Sequence, residues 1–293
     1  MFEGFETRTV SGEGADIFCR IGGSGAPLLL LHGFPQTGAM WAPVAQALAE
    51  RFTVVIPDLR GYGRSGRPAS QGGAAYSKRQ MGADMRTVMT TLGFGRFRIA
   101  GHDRGARVAY RLAFDAPEIV EKLAVLDIMP TAEMWGRMDS AAAMKSYHWS
   151  FLAQPEPLPE RLIGGDPVFY LDYTMARWTK GKSLDAFQPE ALAEYRNAFA
   201  TPEGVHAACE DYRAGATTDR RLDEEDRAAG RRITVPTLAL WGVGGTPAAN
   251  TSVLDVWGQW CEQVEGHALD CGHFVVEEAP GPCAEALLAF FAG

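Results

Sequence analysis

Apolar residues in this 293-residue chain gather in short runs bounded by glycine, proline and charged residues. Pro27-Leu-Leu-Leu-Leu31, Val54-Val-Ile-Pro-Asp58, Leu123-Ala-Val-Leu-Asp127 and Thr237-Leu-Ala-Leu-Trp-Gly242 have strand length and lack polar alternation. Such runs suit strands buried on both faces, and the stretches between them are long enough for helices. The pattern predicts an α/β fold with a mostly parallel central sheet flanked by helices. The alternation stops after Met129-Pro130. Beyond it the chain is helical in character and rich in aromatics, from Trp135 through Tyr212, until the charged run Asp219-Arg-Arg-Leu-Asp-Glu-Glu-Asp-Arg227 leads back to a core strand at Ile233. Residues 131–224 therefore read as a helical cap inserted into a core made of 1–130 and 225–293. Most of its aromatics are expected to be cap core.

One turn in the predicted core carries chemistry. Gly101-His102-Asp103-Arg104-Gly105 joins a short strand to a helix, with small residues where a strained turn needs room and a carboxylate at its apex. This is the form of a nucleophile elbow with Asp103 in the nucleophile's place. A carboxylate attacks saturated carbon and is left as an ester, which points to halide displacement or epoxide opening and away from acyl transfer. The competing structural reading makes Asp103 the N-cap of the helix. Arg104 and Arg107 flank the same helix start; two guanidiniums beside the nucleophile suit a substrate bearing a carboxylate, whereas solvated helix-face charges would need no such pairing.

The remaining parts can be located in order. The first apolar run ends in His32-Gly33-Phe34-Pro35, where a turn can present the Phe34 N–H, which with the Arg104 N–H would form an oxyanion hole. The glycines of Arg60-Gly-Tyr-Gly-Arg-Ser-Gly66 make a poor dinucleotide loop, because Pro68 follows and no helix opens behind them. His273, in Ala268-Leu-Asp-Cys-Gly-His-Phe274, lies just past a short strand and is the expected general base. His32 and His102 lie inside turns where packed, hydrogen-bonded roles are expected, and His206 and His267 carry no motif. The acid that orients His273 could follow the sixth or the seventh strand. After the seventh, Val243-Gly-Gly-Thr-Pro-Ala-Ala-Asn250 offers no carboxylate, and none appears until Asp255; the sixth ends in Asp127. The predicted triad is Asp103, Asp127 and His273, against the alternative that Asp127 merely caps the next segment.

Composition narrows the partners. The chain carries 28 basic and 36 acidic residues, a formal charge of −8, which argues against nucleic acid or a membrane surface as partner. An anionic substrate must therefore be attracted locally, by Arg104 and Arg107. The N-terminus lacks a basic start and an apolar stretch, so a cytoplasmic location is expected. A homodimer is compatible with the sequence. Five cysteines, at 19, 209, 261, 271 and 283, show no CxxC spacing and read as small packed thiols.

With these residues in hand, the chain resembles the fluoroacetate dehalogenases, a haloacetate-hydrolysing branch of the α/β-hydrolase superfamily, over nearly its whole length. The matching segments are His32-Gly-Phe-Pro-Gln36, Pro57-Asp-Leu-Arg-Gly-Tyr-Gly63, Gly101-His-Asp-Arg-Gly-Ala-Arg107, Leu126-Asp-Ile-Met-Pro130, Tyr147-His-Trp149, Cys209-Glu-Asp-Tyr-Arg213 and Gly272-His-Phe274. The elbow with both arginines and the His-Trp pair discriminate; the others are shared with epoxide hydrolases. The resemblance implies that Arg104 and Arg107 hold the substrate carboxylate, that His148, Trp149 and Tyr212 bind the departing halide, and that Trp178 limits pocket size. It implies a small haloacid as substrate and no metal or organic cofactor. Two rivals stay open: an epoxide hydrolase with the same triad and His148 and Tyr212 as proton donors, and a non-catalytic ligand-binding relative.

Overall fold

The computed structural model describes residues 1–245 and 252–293. Eight strands form one sheet: β1 (Glu6–Ser11), β2 (Asp16–Gly22), β3 (Ala26–Leu31), β4 (Phe52–Pro57), β5 (Phe97–His102), β6 (Val120–Leu126), β7 (Thr237–Gly242) and β8 (Val264–Leu269), in the order β1-β2-β4-β3-β5-β6-β7-β8. β2 runs antiparallel to both β1 and β4, and from β4 to β8 every pairing is parallel. Leu28 to Leu31 are fully buried, as an unalternating run must be when helices cover both faces of a parallel sheet.

The crossover helices Lys78–Thr91 and Arg104–Asp115 connect β4 to β5 and β5 to β6. Because the central strands are parallel, the carboxyl ends of β3, β5, β6 and β7 gather at one edge. That edge is where a crevice for ligand forms in open α/β sheets.

Between β6 and β7 the chain builds helices from Thr131–Gly136 to Arg220–Ala228, interrupted by a π-helical turn at Gly215–Asp219. Proline at the first helical turn and a capping side chain before it start two of them: Asp166 accepts from the Phe169 N–H, and Thr201 from the Gly204 N–H. Polar contacts tie this layer to the sheet layer. Arg20 pairs with Glu194, the Tyr195 hydroxyl donates to Glu277, and the Tyr62 hydroxyl donates to Asp211.

The aromatics of this segment do not all serve as core. Trp149, Tyr195, Phe199 and Tyr212 are buried, whereas Phe169 is 63% and Tyr173 45% exposed and Tyr147 lies at the surface. Phe169 and Tyr173, one helical turn apart, stack on each other with centroids 5.7 Å apart on the outer face of their helix. All five cysteines are buried free thiols. No helix among the described residues is long and apolar enough to cross a membrane.

Candidate active site

The turn after β5 owes its shape to two glycines. A Cβ on Gly101 would stand 2.5 Å from the Ala106 nitrogen, and one on Gly105 would stand 2.3 Å from the His32 carbonyl oxygen, so larger residues cannot close the junction. Asp103 pays with φ +46° and ψ −115°, a conformation L-residues seldom adopt. Its side chain makes no capping hydrogen bond to the helix it precedes, so the N-cap reading fails. Instead Oδ1 accepts from the Phe34 N–H at 2.9 Å. The Arg104 N–H, first in its helix, has no intrahelical acceptor.

His273 comes in from the loop after β8. Its Nδ1 lies 2.6 Å from Asp127 Oδ2 and its Nε2 4.0 Å from Asp103 Oδ2. Asp127 sits at the end of β6 with φ +52°, and its Oδ1 accepts from the Gly242 N–H at 2.9 Å. Both carboxylate oxygens are thereby used across strand ends, which a residue merely capping the next segment would not do. Of the eight residues 243–250 after β7, 246–250 lie outside the described residues. The backbone of His273 is anchored as well: its N–H donates to the Trp178 carbonyl at 2.9 Å, and its own carbonyl lies 2.8 Å from His102 Nε2.

The remaining histidines take structural places. His32 Nε2 accepts from the Leu59 N–H, and His206 contacts Glu160 and Ser70. His267 is exposed.

Burial by itself would raise the Asp103 carboxyl; His273, His102, Arg104 and Arg107 outweigh it and hold it below the ordinary carboxylate value. For His273 burial opposes the imidazolium, but the hydrogen bond and charge of Asp127, with Asp103 adding to them, raise its pKa above the ordinary value. For His148 burial outweighs the charge of Asp103 and, with His273, Arg104 and Arg107 also opposing the imidazolium, drives it down to about 3. Tyr212 is pushed well above 10 by burial and by the charge of Asp103, so it keeps its proton.

A cavity of about 30 Å³ lies among Asp103, Arg107, His148, Trp149, Trp178 and His273. About one to three water-sized groups fit such a space. The His148 and Trp178 rings are 4.4 Å apart. A second, wider cavity of about 370 Å³ shares Trp178 and His273 with the first and is lined by Lys145, Arg177 and Lys182, so the space beside the site is cationic although the whole chain is acidic.

The two arginines differ. Arg107 spends Nη1 on the Met129 carbonyl and the Thr131 hydroxyl, each at 3.0 Å, and its Nε is buried with no partner. No carboxylate of the described residues forms an ion pair with it. Its guanidinium faces the Trp149 ring at 4.6 Å. Arg104 is paired to Asp211 and lies over the Tyr212 ring at 4.4 Å. As the side chains stand, Arg104, Phe34 and Tyr212 are not part of the small cavity's wall.

A family model described as the alpha/beta hydrolase fold matches residues 26–280. The chain belongs to this family. Within the α/β-hydrolases, it is 44% identical to a fluoroacetate dehalogenase from Burkholderia sp over 99% of this chain and 95% of the relative. It is 36% identical to a soluble epoxide hydrolase from Corynebacterium sp. (strain C12), over 92% and 91%. Among solved structures, ALR0039 from Nostoc sp PCC 7120 superposes with a TM-score of 0.96 at 49% identity, covering 99% of both chains.

The nucleophile candidate sits on the elbow after β5 and the candidate base on the loop after β8. Two contributors were not legible in the sequence. The Gly242 N–H, which grips Asp127, is a backbone group and leaves no residue signature. Asp211, which grips Arg104, lies inside the Cys209–Arg213 segment, and nothing in its neighbours marks it as the partner of a residue 107 positions away.

Proposed function

We propose that this protein is a haloacetate dehalogenase that converts fluoroacetate to glycolate and fluoride through an ester on Asp103. The observation that carries this reading is Arg107: a buried cation without an acid partner, in the wall of a cavity too small for a bulky substrate, beside a carboxylate nucleophile. A substrate carboxylate is the group that such a site lacks. The likeness to a fluoroacetate dehalogenase supports the same class. In this reading residues 131–224 are the cap that roofs the site, and Trp178 bounds its size.

In the first step Asp103 attacks the carbon bearing halogen, and the carbon–halogen electron pair leaves with the halide. Oδ1 is occupied by the Phe34 N–H, so Oδ2, on the side facing His273, is the attacking oxygen. Arg104 and Arg107 fix the substrate carboxylate for in-line approach. The small, strongly hydrated fluoride needs directed donors in place of water; neutral His148, the Trp149 indole and the protonated Tyr212 hydroxyl supply them.

In the second step His273, held by Asp127, takes a proton from water. The hydroxide adds to the Asp103 carbonyl carbon, and the Phe34 and Arg104 N–H groups hold the oxyanion. Collapse breaks the bond to the alkyl oxygen, which takes its proton from the His273 imidazolium; glycolate leaves, and the Asp103 carboxyl, now holding an oxygen from water, loses its proton to restore the carboxylate. No step in this scheme calls for a metal or organic cofactor.

The second reading, epoxide hydrolysis with His148 and Tyr212 as proton donors, is favoured by the likeness to the Corynebacterium enzyme. A neutral epoxide would leave the unpartnered Nε of Arg107 without an anionic ligand. The deciding experiment sets halide and glycolate release from fluoroacetate and chloroacetate beside diol formation from a styrene-type epoxide. Diol without halide release would replace this proposal with the second reading.

A further inference from the structure

Arg104 is held by one residue. Its Nε donates to both carboxylate oxygens of Asp211 at 3.2 Å, and its Nη2 donates to Asp211 Oδ1 at 2.6 Å and to the Asp211 backbone carbonyl at 2.7 Å. Of the five N–H bonds of the guanidinium, this leaves the pair on Nη1, which is buried without a partner. The same carboxylate also accepts from the Lys78 ammonium and, at 2.6 Å, from the Tyr62 hydroxyl. Lys78 has a second acid, Asp219, at 3.7 Å, whose Oδ1 also caps the Lys78 N–H.

All five side chains are buried. The formal charges of Lys78, Arg104, Asp211 and Asp219 cancel. Gly215 completes the seat, since a Cβ there would stand 2.9 Å from Arg104 Nη2. Arg107, by contrast, has carbonyl and hydroxyl partners but no acid.

We infer that Asp211 is a positioning residue for the elbow arginine: it neutralises Arg104 and fixes its guanidinium, which lies behind the cavity wall as the side chains stand, so that Nη1 is the edge left for a carboxylate, while Arg107 has no acid in ion-pair contact. The two arginines then do different work. Arg107 draws the anion, and Arg104, clamped on three of its N–H bonds, sets the direction in which that anion points. A clamped guanidinium loses little further rotamer freedom when it binds, whereas a free one would have to be ordered by the substrate. The inference rests on the haloacetate reading, and its test separates the two.

The test compares bromoacetate with bromoacetamide, which offers the same reacting carbon and leaving group with a neutral amide in place of the carboxylate. Because all five thiols are buried, alkylation of cysteine is not a competing sink for either reagent. Bromide release is followed for the wild type, Asp211→Asn and the double variant Lys78→Met/Asp211→Asn. The double variant removes one cation with the anion and so keeps the buried cluster balanced where the single variant destabilises it.

If Asp211 positions Arg104, loss of the clamp should cut kcat/KM for bromoacetate by about tenfold or more, the scale of one charge-assisted hydrogen bond, and bromoacetamide by less than about threefold. Parallel losses on both substrates would overturn the inference and leave the haloacetate reading intact. Failure of both variants to fold would make Asp211 structural and likewise overturn it. A wild type that releases no halide from bromoacetate would overturn the haloacetate reading, and the inference with it.

Discussion

His273 Nδ1 lies 2.6 Å from Asp127 Oδ2, while its other ring nitrogen stops 4.0 Å short of Asp103 Oδ2. The imidazole is braced on the acid side and open on the nucleophile side, where the gap is too long for a hydrogen bond. A base placed so can serve a water directed at an ester on Asp103 without being needed to form that ester.

The first prediction follows from that division. His273→Asn should form the glycolyl ester from chloroacetate and fail to hydrolyse it. Intact-protein mass spectrometry should find the added mass, and peptide mapping should locate it on Asp103. Mass on another residue, or none, would remove the two-step scheme. Asp127→Asn should form the same adduct and clear it slowly, since the loss is one of orientation and tautomer.

The second concerns pH. His273 acts as a base only when neutral, and in the folded protein its pKa is raised above the ordinary 6.5, burial being outweighed by Asp127 and Asp103. The His273 imidazole of the free enzyme should therefore titrate above pH 6.5 when followed by NMR, and kcat, which includes ester hydrolysis, should show an acid limb, falling as His273 is protonated at low pH. Asp127→Asn removes a raising influence, so the limb of its residual activity should move to lower pH. Esterification discharges Asp103, so single-turnover hydrolysis of the preformed ester should show a limb lower than the titration of the free enzyme. A limb unmoved by Asp127→Asn would separate the acid from the base.

Arg107 should not tolerate lysine. Its Nη1 reaches the Met129 carbonyl and the Thr131 hydroxyl together while Nε is left for a ligand, and one ammonium cannot match that fork. Haloacetate kcat/KM of Arg107→Lys should drop by at least about tenfold, equivalent to about 1.4 kcal/mol of transition-state stabilisation. Unchanged kinetics in a folded variant would withdraw the carboxylate from this position and favour epoxides.

Tyr212→Phe removes one hydroxyl and leaves a ring that packs against Phe34, His148 and Trp149. Fluoride depends on directed donors more than chloride, so single-turnover halide release should lose a larger fraction of its rate with fluoroacetate than with chloroacetate. Equal fractional losses would reduce Tyr212 to a wall of the pocket.

How far the chain could be read from its residues depended on how local each feature is. The elbow was legible because its requirements are adjacent in sequence: glycines at 101 and 105, the carboxylate between them, an apolar strand before and a helix after. The unalternating leucines at 28–31 likewise declared a strand buried on both faces. The antiparallel edge strand β1 was not legible, since five of its six residues are exposed and only Val10 is buried, which leaves little alternation to find. Trp149 and Tyr212 could be tied to the elbow only by resemblance, because nothing in their neighbours says which face of a helix turns inward. By itself, then, the sequence determined the α/β class, the elbow and the acid at the end of β6, each set by near neighbours and period. Only tertiary structure decided that Arg104 is clamped by Asp211, 107 residues away, and that Arg107 is left without an acid, because the pairing of buried charges depends on which helices meet above the sheet.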